Sequence, residues 1–147
     1  MVQSGEMVLA RIEQVLFGQP AAEAVAALAG RRDARRVFIV ASETLRRSTG
    51  EIAAIEAALA GRWAGTWSGM RPHAPRADVI ALVEAARAAD ADLIVAVGGG
   101  SVVDAAKIVA LALANDVTAV DGLDALANRV EAGKVEVSIE AVSLART

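Results

Sequence analysis

Residues 93–107, Leu-Ile-Val-Ala-Val-Gly-Gly-Gly-Ser-Val-Val-Asp-Ala-Ala-Lys, constrain what this chain can fold into more than any other stretch. A run rich in β-branched residues, 93–97, breaks at three glycines and gives way to an alanine- and valine-rich segment. Flanked by Asp92 and Gly98, the run reads as a buried strand. Ser101 with Asp104 three residues on reads as a helix start. The expected unit is strand, glycine turn, helix. Glycines let a backbone approach a ligand with no Cβ in the way. The helix N-terminus behind them offers unbonded N–H groups at the positive end of its dipole. Two readings follow: a phosphate cradle, or a tight strand-to-helix connection in which Ser101 and Asp104 serve only as caps. The spacing Gly-x-Gly-x-x-Gly is absent.

The rest of the chain fits one architecture. At 147 residues it is one domain's worth of chain, read as a single unit over 1–147. Hydrophobic residues make up 55% and aromatics only 3%, so the core must come from Ala, Val, Leu and Ile. That suits a parallel sheet clad in helices. Residues 8–17 read as a first strand or arm. Pro20 and Gly30 bracket a helix over 21–29, with Val25 and Leu28 inward. The basic connector 31–36 reads as a solvated loop, and 37–41 as a buried strand. Ser48 with Glu51 resembles a capping box, followed by a helical face of Ile52, Ile55 and Leu59. A strand over 63–67, a loop over 70–75 and a helix over 76–89 precede the glycine turn. The helix facing inward with Val79, Val83 and Ala86 turns Asp78 and Arg87 outward. Beyond the turn come a helix over 101–114, a short helix over 122–130 and a last strand over 135–144. The alternation predicts an α/β fold with a doubly wound, Rossmann-like parallel sheet.

Charge and composition also exclude partners. A net charge of −3 argues against nucleic acid, and the absence of cysteine rules out disulfides and thiolate metal sites. Mean hydropathy is +0.44, yet Asp104 and Lys107 interrupt the longest apolar stretch, so no membrane span is expected. With no signal-peptide pattern, the expected compartment is the cytoplasm. The helix over 101–114 carries almost no polar stripe, since Ile108, Val109, Leu111 and Leu113 point in several directions. That predicts exposed apolar side chains and hence a homo-oligomer, or a second domain as cover.

Gly98-Gly99-Gly100-Ser101-Val102-Val103-Asp104-Ala105-Ala106-Lys107 closely resembles the signature Gly-Gly-Gly-Ser-x-x-Asp-x-Ala-Lys of the iron-containing (group III) alcohol dehydrogenases. The resemblance implies that Gly98, Gly99, Gly100 and Ser101 hold the pyrophosphate of NAD or NADP, and that Asp104 lies towards the nicotinamide. Lys107 reads as an i,i+3 partner of Asp104. Many members place an aspartate after the strand that ends at Ala41, where an acidic residue reads the adenosine ribose. Ser42 stands there, with Glu43 next. A serine neither demands a free ribose nor repels a 2′-phosphate, so the choice between NAD and NADP stays open. His73-Ala74-Pro75 is similar to a His-x-Pro segment of the maleylacetate reductase branch; on the residues alone, His73 reads as a loop-packing residue.

Members that use a metal take it on an aspartate and three histidines of a helical second domain. With one histidine, no metal ligands and no catalytic residues are assigned in this chain. The resemblance covers nearly all of the chain but only the first domain of the usual enzyme, and the family's threonine-rich loop is missing. The expectation is the NAD(P)-binding domain of an oxidoreductase that moves hydride between NAD(P)H and a small carbonyl or enol-acid substrate. The alternatives are a catalytically inert, truncated nucleotide-binding or self-associating module, and a flavodoxin-like phosphosugar binder.

Overall fold

The computed structural model describes Leu16 and residues 18–131 of the chain. Three parallel strands stand at the centre in the order β2-β1-β3: β1 (Val37–Ala41), β2 (Trp63–Ser68) and β3 (Leu93–Val97). Val37 pairs with Trp63 on one side and Leu93 on the other, and Ala41 with Ser68 and Val97, so the three carboxyl ends finish level. Among the described residues six α-helices flank the sheet: α1 (Ala21–Arg31), α2 (Glu43–Ser48), α3 (Glu51–Leu59), α4 (Arg76–Ala88), α5 (Gly100–Ala114) and α6 (Val120–Glu131).

The two-residue period of the strands sorts the core into two layers. Val37, Ile39, Ala41, Val95 and Val97 point to one face, where they pack with Val25 and Ala29 of α1 and Ile52, Ile55 and Leu59 of α3. Phe38, Val40 and Ala96 point to the other, against Val79, Leu82, Val83 and Ala86 of α4 and Val102, Ala105 and Val109 of α5. Both faces of β1 are buried, which is why its sequence is a continuous apolar run and not an alternating one. This is the doubly wound arrangement expected from the sequence.

Local differences have physical causes. The sequence shows no helix at 43–48, because α2 buries no residue and so carries no periodic signal. Its start is Ser42, whose hydroxyl accepts from the Leu45 N–H at 3.4 Å. Ser48 therefore ends α2 and makes no capping box. Gly50 is the cap of α3, and the Thr49 hydroxyl accepts from the Glu51 N–H. Helix α5 likewise begins at Gly100 rather than Ser101: the Gly99 carbonyl accepts from both Val102 and Val103 N–H, so Ser101 and Asp104 do not cap it. The basic connector is tied down, since the Asp92 carboxylate accepts from the Arg35 and Arg36 N–H groups at 2.8 and 2.9 Å.

The apolar surface of α5 is better covered than its sequence suggests. Val109 is fully buried, Leu111 and Leu113 pack against the α4–α5 core, and Val117, Leu123 and Leu126 close over the same cluster. Of the four residues expected to splay outward, only Ile108 is exposed, at 37%. Packing by the segment after Asn115 corrects that expectation. The strand expected over 135–144, and that over 8–17 apart from Leu16, lie outside the described residues. No helix among the described residues is long and apolar enough to cross a membrane.

Candidate functional site

From the central strand the chain passes to β2 on one side and then returns to β3 on the other. Where connections diverge in this way, a crevice opens between the carboxyl ends of the two strands. Ser42 follows β1 at that crevice and residues 98–100 follow β3. The two turns touch: the Ser42 N–H donates to the Val97 carbonyl at 2.8 Å.

The three glycines are not equivalent. A Cβ placed on Gly98 would stand 3.0 Å from the Ser42 Cβ and 3.0 Å from the Val102 Cγ2. Packing between the two turns thus demands glycine at 98. A Cβ on Gly99 or Gly100 would meet nothing within 4 Å. Nothing in the domain's own packing requires glycine at those two positions, and their bareness leaves room above the start of α5. No side chain caps that helix, and its first N–H groups have no helical carbonyl to bond. The arrangement is open backbone donors, positive dipole end and clear approach.

Beside this turn lies a cleft of about 560 Å³ lined by His73, Ala74, Ser101, Asp104, Lys107 and Ile108. Asp104 and Lys107 sit one turn apart on α5, with Lys107 Nζ 3.7 Å from Asp104 Oδ1 and both side chains largely exposed. So long and wet a pair contributes little to stability and leaves both groups available to a ligand.

A further wall is the loop before α4. Arg71 grips Asp78 in a forked ion pair, Nε to Oδ2 at 2.8 Å and Nη2 to Oδ1 at 2.6 Å, while the Ala74 N–H donates to the Arg71 carbonyl. Held this way, His73 and Ala74 both adopt left-handed backbone, with φ of +64° and +46°. Two such non-glycine residues in a row cost about 1–2 kcal/mol each. The hydrogen bonds from Arg71 hold the Asp78 carboxyl below the usual carboxylate range and raise Arg71 in return. Because the folded-state pKa of Asp78 is depressed, the pair contributes fully above the unfolded value and is lost as pH falls through the folded one. Asp78→Asn is therefore expected to loosen the His73–Ala74 turn at neutral pH, as strong acid would in the parent. Amide hydrogen exchange at Ala74 should accelerate; unchanged protection would show that the two prolines alone hold the loop.

At the β1–β2 edge the Glu43 carboxylate accepts from the Ser68 hydroxyl and pairs with Arg47. The Ser68 hydrogen bond holds that carboxyl below its ordinary range, with Arg47 and Arg46 adding to the effect. Arg46 Nη1 lies 3.3 Å from the Ser68 Oγ.

The sequence-derived residues thus fall in two adjoining places: Ser42 and residues 98–100 at the crevice, Ser101 and Asp104 on the cleft. His73, which the residues alone assign to loop packing, lines the same cleft as Ser101. Arg46, Ser68 and the Arg71–Asp78 clamp are not legible from the sequence, because each depends on contact between separate elements. Among the described residues no three His, Cys, Asp or Glu side chains gather to hold a metal ion.

A sequence model of iron-containing alcohol dehydrogenases matches residues 13–142. The dehydrogenase FUM7 of Gibberella moniliformis is 35% identical over 128 residues, which are 87% of this chain and 30% of that protein. Maleylacetate reductase 2 of Cupriavidus pinatubonensis is 38% identical over 102 residues, 67% of this chain and 26% of the relative. The crystal structure of maleylacetate reductase from Agrobacterium tumefaciens superposes with a TM-score of 0.62 at 27% identity, over 78% of this chain and 31% of that one. The chain thus spans less than a third of the length of each of these relatives. With a match that runs through both the glycine turn and the sheet it springs from, this chain belongs to the iron-containing alcohol dehydrogenase family.

Proposed function

We propose that residues 1–147 act as a dinucleotide-binding domain that holds NAD or NADP for hydride transfer to or from a small carbonyl or enol-acid substrate. The observation that carries this reading is the empty space over Gly99 and Gly100 at the crevice between β1 and β3. In this reading the backbone N–H groups of residues 99–101 hold the pyrophosphate, joined by the Ser101 hydroxyl. Ser42, in contact with Gly98, meets the adenosine ribose. When bound, the nicotinamide ring supplies or takes up the hydride. Asp104, one helical turn beyond Ser101, orients that end of the cofactor in the cleft, which Lys107 and His73 also line.

The described residues do not fit an iron ion, so no step is routed through one here. The substrate class rests on the maleylacetate reductases among the relatives and on a cleft that presents a lysine and a histidine to an acid. Association with a second copy or a further domain remains part of the proposal, with Ile108 as the exposed large apolar residue of α5 available for it. Isothermal titration of the chain with ADP-ribose tests the core of the reading. Saturable binding at one site per chain is the expected result, and no heat at millimolar ligand would defeat it.

A further inference from the structure

The glycine turn follows the carboxyl ends of the strands, whereas arginines gather at the amino ends, which the dinucleotide reading does not use. Val37 registers with Trp63, so Arg36 and Arg62, each just before its strand, stand on neighbouring strands at that end. Arg62 Nη2 lies 4.0 Å from where a Cβ on Gly30 would stand, which sets its guanidinium against the last turn of α1. Arg31, Arg32 and Arg35 lie in the short stretch that joins α1 to β1 or at its edge.

Five arginines thus meet three aspartates, Asp33, Asp90 and Asp92, in a chain whose net charge is −3. Asp92 gives its carboxylate to the Arg35 and Arg36 N–H groups and does not neutralise their side chains. Arg36 donates through Nε to the Ala89 carbonyl at the end of α4, at 2.6 Å. The negative ends of α4 and α1 suit Arg36 and Arg62, but they do not account for Arg35. The exposed side chains of Arg35 and Arg62 make no hydrogen bond or ion pair among the described residues. Beside them Trp63 is the most exposed large hydrophobic residue described, at 44%. Its indole N–H donates to the Thr66 hydroxyl at 3.0 Å, and that hydroxyl donates to Glu56 at 2.6 Å. The ring is held by its polar edge and keeps much of its apolar surface in water.

We propose that this end of the sheet is a docking surface for an acidic segment of another protein chain. Trp63 packs on an apolar side chain of that segment, while Arg35, Arg36 and Arg62 pair with its carboxylates. A pinned tryptophan among arginines is the composition of an interface centre, and the guanidinium fork matches a carboxylate with two donors. Arg36 spends Nε on Ala89 and keeps its Nη groups for the partner. A second copy of this chain does not fit, because a symmetric contact would set arginine against arginine. The surface is at the end of the sheet away from the glycine turn, so docking is independent of the dinucleotide.

The test titrates the ¹⁵N-labelled full chain with a synthetic peptide of glutamates around a single leucine. Saturable shifts are expected at the Trp63 indole N–H and at the amides of Arg35, Arg36 and Arg62, with an affinity that falls as salt is added. Arg62→Gln and Trp63→Ala should each weaken binding at least about fivefold, the floor for an interface anchor. Arg76→Gln, an equal loss of charge at the start of α4, should leave it unchanged, and ADP-ribose should not displace the peptide. No shifts at millimolar peptide, equal binding of the lysine counterpart, or an affinity that Arg62→Gln does not move would overturn the proposal. Tighter binding of single-stranded DNA to the same residues would overturn it too, by assigning the surface to nucleic acid.

Discussion

Gly100→Val is expected to raise the dissociation constant for ADP-ribose at least a hundredfold, about 2.7 kcal/mol, while the domain stays folded. The reasoning is steric and local. A side chain at 100 would project into space that the rest of the domain leaves empty, so no core contact is strained. As the first residue of α5, a valine costs no more helix propensity than the glycine it replaces. The added methyl groups occupy only the approach to the backbone donors of residues 99–101. Thermal unfolding and titration on the same preparation separate the effects. A variant that binds as tightly as the parent would show that the ligand does not come down on this turn.

Gly98→Ala should do the reverse and damage the fold. Its Cβ would come within 3.0 Å of the Ser42 Cβ and the Val102 Cγ2, and the backbone there has φ of +158°. Neither neighbour is the loose end of a flexible side chain. Ser42 is fixed by its N–H bond to Val97, and Val102 is part of the buried α4–α5 core. Overpacking of this kind costs roughly 1–3 kcal/mol. Urea unfolding should show a lower midpoint with an unchanged slope, whereas Gly99→Ala should leave the midpoint where it was. Equal midpoints for all three proteins would mean that the turns do not press on each other as described.

These two expectations mark where sequence and structure divide. Ile39, Val40 and Val95 declare their strands by composition alone, and Ile52, Ile55 and Leu59 declare a helical face, because burial imposes a period on apolar residues. Helix α2 is silent for the complementary reason: it buries nothing, so no period marks it. The glycine run is visible as a string of letters, but its division of labour is not. Which glycine serves packing and which serves approach depends on Ser42 and Val102, and Ser42 reaches the turn only through the β1–β3 pairing. His73 and Arg46 follow the same rule. The φ of +64° at His73 falls inside a clamp between Arg71 and Asp78, which stand seven residues apart along the chain and on either side of it. Arg46 reaches Ser68, 22 residues on. Residues that act through a partner on another element leave no local pattern to read.

The central claim is that the turn between β3 and α5 holds the pyrophosphate of a dinucleotide. A ¹H–¹⁵N correlation spectrum of the chain titrated with ADP-ribose tests it most directly, because it reports on the backbone N–H groups said to do the binding. The account predicts saturable shifts concentrated on the amides of Gly99, Gly100 and Ser101, with Gly98 and Ser42 following. Saturable shifts elsewhere with those amides unmoved, or no shifts at millimolar ligand, would contradict it.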